Sequence, residues 1–106
     1  MSGFPQAPGV TVGQVTDSTT TRTLVVADFG KVVRMTNAGA STVTIPPNSS
    51  VPAAVGTIVN IYSAGVGGVT IAAGAGVTIR NNAAALVQYG ECSLRQDVAD
   101  EWVRVG

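Results

Sequence analysis

The sequence predicts an all-β protein, and three observations carry that prediction. Val, Ile and Thr recur with a two-residue period, Gly, Pro and Asn clusters interrupt them at short intervals, and no stretch keeps a helical period. The expected body is a compact antiparallel β-sandwich or small barrel of about eight short strands, with an extended N-terminal arm.

The elements follow in order. Residues 1–21 read as an extended Pro/Gly arm and linker, because Pro5 and Pro8 exclude helix and Asp17 to Arg22 is a polar turn. Residues 22–106 read as one β-rich domain. "RTLVVADFG" is a strand ending at Asp28-Phe29-Gly30, and "KVVRMTNAG" is a second that Asn37-Ala38-Gly39 turns. "STVTIPP" places Val43 and Ile45 on one face, and Pro46-Pro47 stop it. After the loop "NSSVPAAVG", "TIVNIYS" sets Val59 and Ile61 against Ile58, Asn60 and Tyr62 on the other side. "GVTI" then occurs twice, at Gly68 and at Gly76, and reads as a hairpin or two stacked rungs with Val69 and Ile71 matched by Val77 and Ile79. "ALVQYGECSLRQD" is a long strand with a bulge at Gly90, Asp97 to Asp100 is a turn, and "EWVRVG" is the last strand. The core set is Leu24, Val26, Val33, Val43, Ile45, Val59, Ile61, Val69, Ile71, Val77, Ile79, Leu86, Leu94 and Trp102.

Composition removes several classes of function. Six basic and six acidic residues cancel, so there is no basic footprint for nucleic acid. Charged residues make up 11% of the chain, against roughly 25% in an ordinary soluble domain. So few charges suit a surface covered by other subunits. Histidine is absent, which takes away the commonest acid–base group and metal ligand. The single cysteine, Cys92, reads as a small buried hydrophobe. No apolar run has the length of a membrane span, and the N-terminus lacks the form of a signal peptide, so synthesis in the cytoplasm is expected.

The remaining chemical motifs are weak. Asp97, Asp100 and Glu101 cluster, but in a turn and without EF-hand spacing. "SAGVGG" and "AAGAGV" precede strands, whereas a phosphate loop precedes a helix. Arg34 and Arg104 are expected to meet acids on neighbouring strands. A carbohydrate-binding module needs an exposed aromatic platform, and Tyr62, Tyr89 and Trp102 are the candidates. No catalytic, cofactor-binding or metal-ligating residue is therefore assigned, and no enzyme is expected.

The run from Leu24 to Arg80, followed by "SLRQDVADEWVRVG", resembles a β-module that recurs in bacteriophage virion proteins. The matching residues are "DFGKVVRMTN", "TVTIPPNS", "VGTIV", "GVTIAAGAGVTI" and the closing "WVRVG". Such modules form the ends of tail fibres and spikes, and small stand-alone structural proteins. The resemblance implies a non-enzymatic structural role in the virion and a homotrimer. The chain departs from the fibre pattern in having only a short arm before the module. That departure points to a capsid decoration or minor capsid protein, with the major capsid protein as partner. Phe4, Pro5, Pro8 and Val10 in the arm are the expected contact residues, with Phe4 as the apolar anchor. The alternative is a tail or tail-fibre component that binds a receptor through loops such as "NSSVPAAVG".

Overall fold

The structure is a computed structural model that describes residues 12–106. It is all-β, with nine strands and one 3-10 turn. The strands are β1 (Gln14–Asp17), β2 (Thr21–Thr23), β3 (Val32–Met35), β4 (Ser41–Ile45), β5 (Ile58–Ser63), β6 (Val69–Ala73), β7 (Thr78–Arg80), β8 (Glu91–Val98) and β9 (Glu101–Val105). They form a six-stranded sheet, β1-β3-β5-β8-β9-β7, and a three-stranded sheet, β2-β4-β6.

The first six strands alternate between the two sheets, so the chain winds through three rungs. β1 stacks on β3 and β3 on β5, all parallel, while β2 stacks on β4 and β4 on β6, also parallel. β7 then enters the large sheet at its far edge, and the β8–β9 hairpin fills the gap between β5 and β7. Five of the seven pairings are parallel, where an antiparallel arrangement was expected. The reason lies in the short turns. A three- to five-residue connection usually makes a hairpin within one sheet. Here the turns after β1, β3 and β5 are corners that carry the chain across to the other sheet.

These corners stack directly, which explains the glycines. A Cβ on Gly65 would lie 1.8 Å from the Asn37 carbonyl oxygen, and one on Gly67 would lie 2.3 Å from the Gly39 carbonyl carbon. Asn37 joins the stack downward by donating its side-chain amide to the Ser18 carbonyl at 2.8 Å.

The two "GVTI" copies do not pair with each other. Thr70 aligns with Thr42 and Ile71 with Val43 in the small sheet, while Thr78 and Ile79 align with Glu101 and Trp102 in the large one. The stretch expected as linker also contributes to the fold, since Gln14–Asp17 is β1 and Thr21 opens β2. The strand expected over "LVVADFG" is instead the 3-10 turn Val26–Asp28, closed by the Asp28 amide on the Val25 carbonyl. "ALVQYGEC" breaks at a turn before Glu91, where Tyr89 has φ 68°.

The core lies between the sheets. Leu24, Val33, Val43, Ile45, Val59, Ile61, Val69, Ile71, Leu86, Leu94 and Trp102 are buried as expected, with Val77 and Ile79 packed against them. Val26 is exposed because the 3-10 turn aims it outward, and Met35 and Cys92 join the core. Each large aliphatic or aromatic side chain buried this way stabilises the fold by about 1.5–3 kcal/mol.

Candidate functional site

The expected contact residues Phe4, Pro5, Pro8 and Val10 lie outside the described residues. Among the described residues, buried polar side chains form bonded groups at three places.

The first is the β1–β2 end of the rung stack. Arg22 of β2 donates from Nε and Nη2 to both carboxylate oxygens of Asp28, at 3.1 and 2.7 Å, and from Nη1 to Asp17 of β1 at 3.0 Å. Asp28 is 1% exposed and also accepts the Val25 amide. Thr19 donates hydroxyl and amide to Asp17, and these bonds hold its carboxyl below the usual carboxylate range, with Arg22 helping. This ionic cluster covers the first rung in place of apolar side chains, as terminal units of stacked folds do.

The second is the loop Asn48–Gly56. Gln96, buried in β8, donates its side-chain amide to the Ala53 carbonyl at 2.6 Å, and its carbonyl oxygen accepts the Asp100 amide at 3.2 Å. The Gln96 main chain accepts the Gly56 amide, and Asp100 accepts the Asn48 amide at 2.7 Å. The loop is thus tied at both ends while Ser49, Ser50, Pro52 and Val55 stay exposed.

The third is Arg104, buried on β9. It meets no acid. Its Nη1 donates to Asn82 Oδ1 at 2.7 Å and to the Ala84 carbonyl at 2.5 Å, and Nε donates to the Gly106 main-chain oxygen at 3.1 Å. Arg34 also lacks a carboxylate partner among the described residues, and its neighbours in register are Thr16 and Tyr62. The expected acid pairing of both arginines is therefore corrected. Cross-strand partners follow from register, and the register here is parallel on both sides of β3. The inward placement of Arg104 and Gln96 was within reach of the two-residue period, since they follow Trp102 and Leu94 by two.

The acids of the Asp97–Glu101 turn diverge. Asp97 pairs with Arg95, Glu101 with Arg80, and Asp100 holds Asn48. Among the described residues there is no cluster of three or more metal-binding side chains, and no cavity. Burial pushes the Cys92 thiol up, the direction opposite to that of a nucleophile. Trp102 is buried against Phe29, Tyr62 is partly exposed, and Tyr89 is 69% exposed in the left-handed region. Among the described residues no helix is long and apolar enough to cross a membrane.

These places organise and cap the fold, and the tied loop and the outer face of the large sheet are among the surfaces that stay exposed. No family model, no curated protein and no solved structure matches this chain.

Proposed function

We propose that this chain is a non-enzymatic structural protein of a bacteriophage virion, which binds the outer surface of the head and stabilises the shell. The reading rests on one resemblance: the strand-and-turn residues from Leu24 to Gly106 resemble, in order, those of the virion β-module. The physical character of the chain supports it. Charge is sparse, the backbone is locked by stacked corners, and the polar side chains are used mainly to hold turns. A rigid body of this kind adds little conformational entropy cost when it binds. Many copies, each with an arm bearing Phe4, Pro5, Pro8 and Val10, would gain from multivalent attachment to the major capsid protein.

Co-sedimentation with capsids stripped of the protein, and with isolated tails, tests the reading. Saturable binding to capsids that is lost on deleting residues 1–12 is the expected result. Binding to tails alone would replace it with the tail-component reading. That second reading is favoured by the Asn48–Gly56 loop, which is pre-ordered by Gln96 and Asp100 yet presents Val55 at 68% exposure.

A further inference from the structure

All twelve charged side chains, six basic and six acidic, lie within the described residues. Nine of them hydrogen-bond within the fold: Asp17, Arg22 and Asp28 at the β1–β2 end, Arg80 with Glu101, Arg95 with Asp97, and Asp100 and Arg104 with uncharged groups. The other three are Lys31, Arg34 and Glu91, and two of these stand in one row. Across β3, β5 and β8, Arg34 aligns with Tyr62 and Tyr62 with Glu91. The strand alternation turns all three outward, because Val33 and Met35, Ile61, and Cys92 fill the inner side. Adjacent strands lie about 4.8 Å apart, so a cation and a carboxylate flank a tyrosine at roughly equal distances.

Such a row is its own complement. A two-fold axis along the β5 strand direction would set Tyr62 against Tyr62 of a second copy. The same axis would set Arg34 against the second copy's Glu91, and Glu91 against its Arg34. Ile58, 47% exposed, lies on β5 four residues from Tyr62 and would also meet its own copy across that axis. We infer that the outer face of the six-stranded sheet is a homotypic interface, in which two copies pack face to face through the Arg34–Tyr62–Glu91 row. An isologous contact of this type closes on itself. The contact centres on one row of three residues, so the dimer is expected to be weak and concentration-dependent. The interface does not depend on the virion reading.

The test is sedimentation velocity of the whole chain over a concentration series, at low and high salt. Wild type is expected to dimerise reversibly, more weakly in high salt. Arg34→Glu sets carboxylates against carboxylates and Glu91→Arg sets guanidiniums against guanidiniums. Each is expected to raise the dimer dissociation constant by about tenfold or more. The double variant R34E/E91R restores opposite charges and is expected to recover near-wild-type association. Neither side chain has a hydrogen-bond or ion-pair partner among the described residues, so the melting temperatures of all three variants should match wild type. A chain that stays monomeric at every attainable concentration overturns the inference. So does a dimer that ignores both single reversals, which would pair through another surface, or a double variant that fails to recover. A monomer whose Tyr62 ring resonances move on titration with a free hexose would give the face to a sugar and overturn it as well.

Discussion

Arg22 and Asp28 form a two-pronged ion pair, Nε to Oδ2 at 3.1 Å and Nη2 to Oδ1 at 2.7 Å, at the β1–β2 end of the rung stack. Asp28 is 1% exposed, so little water reaches its carboxylate and Arg22 is its main polar partner. Arg22→Met leaves the carboxylate with the Val25 amide alone. We expect a loss of about 3 kcal/mol, at the low end for a broken buried pair because the Arg22 side chain is 20% exposed. Adding Asp28→Asn should recover most of that loss. Equal losses in the single and double variants by urea denaturation would show that the pair is not coupled.

Acid should act through Asp17. Its carboxyl is held below the ordinary aspartate value of about 3.9 first by the Thr19 hydroxyl, then by the Thr19 amide and Arg22. A carboxylate depressed on folding stabilises the native state above its unfolded pKa, and that contribution disappears as pH falls through the folded one. Thr19→Ala removes the 2.6 Å hydroxyl bond. The Asp17 carboxyl carbon, followed by NMR, should then titrate at higher pH, closer to the ordinary value. An unmoved midpoint would mean that the Thr19 amide and Arg22 suffice.

Stacked corners make a sharp contrast between two glycines. Gly65→Ala drives a methyl into the Asn37 carbonyl, a backbone atom that cannot turn aside. It should cost at least about 3 kcal/mol and open the Asn37–Ala40 turn to hydrogen exchange. Gly76 has open space around it and φ of +76°, so Gly76→Ala meets only the left-handed penalty of about 1–2 kcal/mol. Reversed or equal costs in thermal melts would contradict the stacking.

Gln96→Leu keeps the volume but strips the Ala53 carbonyl and the Asp100 amide of their partner. Unsatisfied buried groups of this kind cost about 1–3 kcal/mol each. The expected signature is local: faster hydrogen exchange at Asn48, Gly56 and Asp100, with β3 and β4 unchanged. Uniform acceleration would make Gln96 a global core residue and not a clamp.

Much of this was legible in the residues themselves. Sidedness along "STVTI" and "TIVNIYS" follows from the pleat, and Val43, Ile45, Val59 and Ile61 are buried as the alternation requires. The same rule reaches Met35, Cys92, Gln96 and Arg104, each two residues from an expected core position. Other features were not legible. Val26 was placed inward by strand alternation, but three residues of 3-10 turn change the period and expose it. The row of Arg34, Tyr62 and Glu91 spans 57 positions from residue 34 to residue 91, and nothing local in the chain aligns them.

Strand content, most inside and outside faces, and the turns marked by Gly, Pro and Asn are therefore properties of the sequence. They arise from backbone pleating and from residue preferences that act over two to four positions. The direction of pairing, the separation of the two "GVTI" copies into different sheets, and the outward row belong to the tertiary structure. They depend on whether a short turn folds the chain back in its own sheet or carries it to the facing one. That choice is made where Gly65 and Gly67 let one corner lie directly on another, a contact between segments more than twenty residues apart.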